Sequence, residues 1–174
     1  MPKTINLSLF ASGTGSNVKS IIDYFNGNSN VIIGSIVTNK ADAGVIKYAE
    51  GDIKLILAQS PKEIKEVLPG KLKALETDCI ILAGFLKKIP SELISDFKDK
   101  ILNIHPSLLP KYGGKGMYGH NVHQAVFDNK ETESGMTIHL VNEEYDKGRI
   151  LFQQSCDVRD CHSPEEIAKK VLKL

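Results

Sequence analysis

Asn103 and His105 stand two residues apart in the run Leu102-Asn103-Ile104-His105-Pro106-Ser107-Leu108-Leu109-Pro110. On an extended chain that spacing puts both side chains on one face. An amide N–H beside an imidazole can hold an oxyanion and move a proton; the same pair can also be a hydrogen-bonded histidine at a strand end. Ser107 adds a hydroxyl, but the Gly-x-Ser-x-Gly elbow of a serine hydrolase is absent. A second stretch, Gly13-Thr14-Gly15-Ser16-Asn17, offers small residues whose backbone N–H groups can approach an anion at a helix start. It can equally be a tight turn. A dinucleotide fingerprint would need glycine where Val18 stands and an acid after the second strand, which instead ends Val37-Thr38-Asn39-Lys40; a P-loop would need Gly-Lys-Ser/Thr. A phosphate cradle without a dinucleotide survives. A third stretch, Asn142-Glu143-Glu144-Tyr145-Asp146-Lys147-Gly148, is acidic and ends in turn residues. It can be a solvated turn, or it can deliver a carboxylate that orients and charges a histidine.

The elements that must carry these groups follow from hydrophobic spacing. Ile5–Phe10 reads as a buried strand, and the apolar positions 18, 21, 22 and 25 as a helix over Val18–Phe25. Strands are predicted at Val31–Val37, Leu55–Ala58, Cys79–Ala83 and Ile101–Ile104. Ser60-Pro61-Lys62-Glu63 is a capping box opening a helix toward Leu75, with Pro69-Gly70 expected to interrupt it. Pro106–Asn121 reads as a long loop and Val122–Asn129 as a short helix. Met136–Val141 and Ile150–Val158 read as antiparallel strands. His139, on the first of these, either faces the site or is satisfied in the sheet; periodicity leaves both open. A second capping box at Ser163-Pro164-Glu165-Glu166 opens a helix expected to be still in progress at Leu174. This β-α-β alternation implies an α/β fold: one Rossmann-like, mostly parallel sheet with helices on both faces and antiparallel strands added in the C-terminal part, in a single domain over residues 1–174.

Composition excludes little but points one way. Apolar residues make up 41% and charged residues 25%, ordinary globular values. A net charge of +1 favours neither nucleic acid nor an anionic membrane. No run approaches the ~18 apolar residues of a membrane span. The start, Met1 to Leu7, lacks a signal peptide's apolar core. Cys79, Cys156 and Cys161 are an odd number and read as reduced thiols, so the expected compartment is the cytoplasm. His120 with His123, and Cys161 with His162, invite a metal reading, but no four-ligand spacing supports one, and no metal is expected.

Taken together, the segments resemble the glycinamide ribonucleotide transformylases of the folate-dependent formyltransferase family along nearly the whole chain. Gly13-Thr14-Gly15-Ser16-Asn17 resembles that family's phosphate loop. Leu82-Ala83-Gly84-Phe85-Leu86 resembles the segment whose following backbone holds the folate pterin. Asn103 to Pro110 resembles the catalytic Asn-x-His-Pro-Ser-Leu-Leu-Pro signature. Lys115-Gly116-Met117-Tyr118-Gly119 and Ser134 to His139 are also similar. The resemblance implies 10-formyltetrahydrofolate as donor and the glycyl amine of glycinamide ribonucleotide as acceptor, in purine synthesis. It implies catalytic roles for Asn103 (holding the formyl oxygen), His105 (oxyanion and proton) and Asp146 (raising the pKa of His105). It implies acceptor binding by Gly13, Thr14, Gly15, Ser16, Asn17, Gly84 and Pro106, and folate binding by Leu86, Lys87, Lys88, Ile89, Asn103 and the stretch Val141, Asn142, Glu143, Glu144, Tyr145 and Asp146. Lys87 or Lys88 is expected to attract the folate's polyglutamate tail. Small-molecule partners are expected, with no nucleic acid or membrane, in a monomer or homodimer.

Four departures stand out. Gly113 replaces a proline of the family's loop. Lys87-Lys88 replaces a basic-apolar pair. An arginine usual near Ser60 to Glu66 is missing, with Lys62 or Lys65 as stand-ins. The C-terminal helix is expected to be truncated relative to the family. Two relatives within the family share the Asn-x-His-Pro core, methionyl-tRNA formyltransferase and formyltetrahydrofolate hydrolase. A non-catalytic folate- or nucleotide-binding module is the rival from another class.

Overall fold

The structure is a computed structural model and describes residues 3–174. The chain forms two compact units, 1–102 and 103–174. Seven strands lie in the sheet order β3-β2-β1-β4-β5-β6-β7, with β1 Ile5–Phe10, β2 Val31–Thr38, β3 Lys54–Leu57, β4 Cys79–Leu82, β5 Ile101–His105, β6 Glu133–Leu140 and β7 Ile150–Asp157. β1 pairs parallel with both β2 and β4, and β2 parallel with β3, whereas β6 and β7 are antiparallel. The mixed α/β sheet inferred from the sequence is therefore present.

In the first unit β1 is the central strand of the parallel set. Leu9 and Phe10 are fully buried, with Ile36 and Val37 on β2 and Ile80 on β4 equally so. Each such side chain contributes roughly 1.5–3 kcal/mol by leaving water. The chain leaves β1 through Gly13 to Gly15 and enters helix α1, Ser16–Phe25, two residues earlier than the hydrophobic spacing suggested, because the first turn is polar. Gly15 has φ +79°, and a Cβ there would lie 2.6 Å from the Val45 side chain, so only glycine fits. The capping box at Ser60 forms as read. The Glu63 carboxylate accepts the N–H groups of Gln59 and Ser60, and the Ser60 hydroxyl accepts that of Glu63.

Pro69 does not interrupt the helix that follows. A π-helical segment, Glu63–Val67, leads into α2, Leu68–Ala74, and this puts Pro69 in the first turn of α2, where its missing N–H costs nothing. Two short elements carried no sequence signal: a 3-10 turn over Gly44–Tyr48 and helix α3, Ser91–Asp96.

In the second unit helix α4, His120–Asp128, and helix α5, Pro164–Val171, pack through Val126, Ile167 and Val171 with Val158. Ser163 caps α5 by accepting the Glu166 N–H. The expectation of a helix still running at Leu174 is corrected: α5 ends at Val171. Tighter bonds from Lys173 N–H to the Lys170 carbonyl and from Leu174 N–H to that of Val171 close the last turn. No helix among the described residues is long and apolar enough to cross a membrane.

Candidate active site

Strand β5 delivers Asn103 and His105 to one face, and β6 brings His139 beside them. Thr137, two residues earlier on β6, is fully buried and holds the chain after β5 in place. Its hydroxyl donates to the Ser107 carbonyl (2.6 Å) and accepts the Leu109 N–H (3.1 Å), and Gln153 of β7 donates to it from the other side (2.9 Å). The Ser107 hydroxyl itself donates to the Lys111 carbonyl at 2.7 Å. It is a bracket for the loop and stands away from any serine-hydrolase arrangement.

His105 is 3% exposed. Its Nε2 lies 2.8 Å from the Tyr112 carbonyl oxygen, which can only accept, so Nε2 carries the proton. Its Nδ1 faces Asp146 Oδ1 at 3.6 Å. The same loop that accepts from His105 also holds Asp146: the Gly114 N–H donates to Asp146 Oδ2 at 2.8 Å. Tyr112 and Asp146 both adopt positive φ, +55° each. Such backbone costs roughly 1–3 kcal/mol per residue and persists where neighbours impose it. At Tyr112 the neighbour is Glu131, which accepts the phenol O–H at 2.9 Å and also pairs with Lys111.

Burial pushes the His105 pKa below the ordinary histidine value, and this outweighs the upward pull of Asp146 and of the Tyr112 carbonyl. The sequence reading had Asp146 raise that pKa. The carboxylate acts in the expected direction, but desolvation of the charged ring is larger, so resting His105 is neutral at pH 7. Asp146, whose burial would raise its pKa, is held below the usual range by the hydrogen bond from the Gly114 N–H and by the charge that His105 carries when protonated.

Asn103 is engaged by two partners of its own. Its amide nitrogen lies 3.0 Å from His139 Nε2 and 3.3 Å from Asp146 Oδ1. Both N–H groups are therefore engaged within the protein. A formyl oxygen can be held by Asn103 only by displacing one of them, and the longer bond to Asp146 is the weaker. His139 is 2% exposed, and its Nδ1 lies 2.8 Å from the Leu140 carbonyl. Periodicity left two readings of His139; geometry puts it in the Asn103–Asp146 cluster.

The other expected residues divide by unit. In the first, Gly13, Thr14 and Ser16 are exposed, and no hydrogen bond among the described residues uses the N–H groups of Gly13 to Asn17. Cβ atoms added at Gly13 or Gly84 would meet nothing within 4 Å. The loops that carry these glycines are tied together by Ser12. Its N–H donates to the Gly84 carbonyl (3.0 Å), its hydroxyl accepts the Leu86 N–H (2.8 Å), and it donates in turn to Asn39. Sequence reading singled out neither Ser12 nor Asn39; two polar residues at the C-terminal ends of adjacent parallel strands were the available signal. Leu86, Lys87 and Lys88 are exposed and Ile89 is buried. In the second unit Pro106 adjoins His105, and Asn142 to Tyr145 are exposed while Asp146 is half-buried. His120 sits 3.7 Å from Glu165, and His123 is buried with Nδ1 unpartnered and a pKa lowered to about 4, chiefly by burial. Cys79, Cys156 and Cys161 are free thiols.

Buried His105 thus stands with half-buried Asn103 and Asp146 at the end of a strand in a mixed α/β sheet, and the chain belongs to the formyl transferase family, whose pattern matches residues 5–174. Several of its relatives carry a more specific name. The chain is 43% identical over 183 residues to a chloroplastic phosphoribosylglycinamide formyltransferase of Arabidopsis thaliana, covering 98% of this chain and 61% of that protein. It is 34% identical over 168 residues to the phosphoribosylglycinamide formyltransferase of Haemophilus influenzae, covering 92% of this chain and 77% of that one. The crystal structure of phosphoribosylglycinamide formyltransferase from Brucella melitensis is similar with a TM-score of 0.87 at 32% identity, over 98% of this chain and 89% of that chain. The chain thus spans about three fifths of the length of its Arabidopsis relative.

Proposed function

We propose that the chain transfers the formyl group of 10-formyltetrahydrofolate to the glycyl amine of glycinamide ribonucleotide, a step of purine biosynthesis, and that residues 1–174 act as one formyltransferase domain. The observation that carries this reading is the cluster of buried His105 and His139 with half-buried Asn103 and Asp146, in a chain whose relatives bear that activity's name. The open N–H groups of Gly13 to Asn17 suit the acceptor's phosphate. Gly84 and Pro106 adjoin the acceptor in this reading. The folate would be held by Leu86 to Ile89, Asn103 and Val141 to Asp146, with its tail toward Lys87 or Lys88. The bound folate supplies the activated formyl carbon and, after transfer, a nitrogen that accepts a proton.

The residues suggest the following chemistry. As the neutral amine bonds to the formyl carbon, the carbonyl electrons collect on oxygen and the amine nitrogen becomes positive. His105 Nε2–H is committed to Tyr112, so Nδ1 is the atom free to take the amine's proton. The imidazolium that forms is then a charge-assisted donor beside the alkoxide, stabilised by Asp146. Asn103 exchanges its long bond to Asp146 for one to the developing oxyanion, where a donor favours the transition state over the ground state. His105 passes the proton to the folate nitrogen as the carbon–nitrogen bond breaks. Resting His105 is thus a base that becomes an acid within the cycle. The cytoplasm is the compartment favoured by the sequence; the chloroplastic name of the Arabidopsis relative makes an organelle the rival, and cell fractionation decides.

The test is to mix the protein with 10-formyltetrahydrofolate and glycinamide ribonucleotide and follow deformylation of the folate. Deformylation only with acceptor present supports the transferase. Equal deformylation without acceptor makes the chain a hydrolase, and binding without turnover makes it a binding module.

A further inference from the structure

His139 has a hydrogen-bonding pattern that assigns each of its ring atoms. Nδ1 points at the Leu140 carbonyl oxygen, an obligate acceptor, at 2.8 Å, so the ring's proton is on Nδ1. Nε2 is then a lone-pair acceptor, and the nearest polar atom to it is the Asn103 amide nitrogen at 3.0 Å; Asp146 Oδ1 is farther, at 3.5 Å. The backbone around it is made for this contact. Arg149 accepts the Leu140 N–H at 2.9 Å, and Gly148 passes so close that an added Cβ would lie 1.7 Å from the Leu140 oxygen and 3.5 Å from His139 Nδ1. Any larger residue at 148 would push the Leu140 carbonyl off the ring.

We propose that His139 is a positioning residue that fixes the direction of the Asn103 amide. Asn103 can present its nitrogen or its oxygen to the His139–Asp146 pair. With its oxygen turned inward, three acceptors (Asn103 Oδ1, His139 Nε2 and the Asp146 carboxylate) would meet with no proton among them. The Nδ1–H tautomer of His139 therefore holds the NH₂ group inward, where one of its N–H bonds can be exchanged onto a substrate oxygen. Were Nε2 protonated instead, the amide would turn and Asn103 would offer an acceptor where a donor is needed. The consequence for turnover rests on the formyl-transfer reading above, while the geometry does not.

The test compares His139→Gln with His139→Asn in the full chain. Glutamine places an acceptor oxygen near the position of Nε2, whereas asparagine keeps a donor near Nδ1 and leaves Asn103 without its acceptor. Nitrogen NMR of the wild-type imidazole should show a proton-bearing Nδ1 and a bare Nε2. The Asn103 side-chain amide signals should stay displaced and exchange-protected in His139→Gln and become solvent-like in His139→Asn. In turnover, His139→Asn should lose ~10²-fold in kcat, the scale of a misplaced catalytic group, with both KM values little changed, and His139→Gln should recover most of that loss. A protonated Nε2 in the wild type, identical Asn103 signals in the two variants, or an equal kcat loss in both would overturn the proposal. If the wild-type protein transfers no formyl group, that reading fails, and the NMR signals alone decide the role of His139.

Discussion

Replacing Asp146 by asparagine removes one charge and almost no volume, and the Gly114 N–H keeps an oxygen to donate to. What is lost is the attraction between the carboxylate and a protonated His105, whose Nδ1 lies 3.6 Å from Oδ1 with both groups largely out of water. At that distance the pair is worth about 1 kcal/mol at the dielectric of bulk water and about 4–5 kcal/mol at an effective value near 20, or ~1–3 pKa units. The pKa of His105 already lies below the ordinary value because of burial, so in Asp146→Asn it should fall by a further ~1–3 units. The imidazolium is formed during the reaction, so the same energy is lost from the transition state, and kcat should drop ~10- to 10³-fold. The two effects separate in a pH profile. Activity requires neutral His105 and is lost as pH falls through its pKa, so the variant should show a lower plateau with its acid limb moved to lower pH. The assay is kcat against pH for formyl transfer, paired with an NMR titration of the His105 ring. A His105 titration that does not move would refute the electrostatic coupling and leave Asp146 as a loop residue bound to Gly114.

Asn103→Ala and His105→Ala should each lose ~10²–10³ in kcat with substrate KM values much less affected; near-normal turnover in His105→Ala would remove the catalytic assignment. Gly15→Val forces a side chain against Val45 at positive φ and should raise the acceptor's KM at least ~10-fold, the loss of one charge-assisted hydrogen bond, while the folate's KM changes little; an unchanged acceptor KM would dismiss the phosphate role. His123, with a folded pKa of about 4, binds its proton first in the unfolded chain, whose histidines titrate near 6.5. Stability should therefore fall as pH drops from about 6.5 toward about 4, and this one group accounts for ~2–3 kcal/mol of the loss by about pH 4.5. His123→Leu should flatten that part of the profile, as read by urea unfolding at several pH values, and an equal slope in the variant would show that His123 is solvated when folded.

Where chemistry depended on local pattern, the sequence was sufficient. Largely apolar stretches marked β1, β2 and β4, because a strand buried in a parallel sheet keeps few polar residues, and the buried Ser8 of β1 and Ser35 of β2 are satisfied by each other. The capping boxes at Ser60 and Ser163 formed because each is a contact within four residues. Asn103 and His105 were found together because two-residue spacing on a strand guarantees a shared face. Helix α3 and the turn at Gly44 were missed, since their few residues give no full period to recognise.

The remainder needed tertiary structure, because it concerns pairs far apart in the chain and balances between opposing energies. Asp146 was legible as a carboxylate near a histidine, but its effect could be given only a direction. Whether the His105 pKa ends up raised or lowered depends on how much water the fold excludes from the ring, and at 3% exposure burial wins over the carboxylate. His139 alternated correctly along β6, but its tautomer, and with it the donor direction of Asn103, was set by a carbonyl on the next residue and an amide 36 positions away. Pro69 was read locally as a breaker, yet the register of the π-helical segment before it set it at a helix start. Sequence alone determined which groups are present and which of them share a strand; the folded chain decided their protonation and hydrogen-bond direction, because both depend on burial and on partners that only long-range packing supplies.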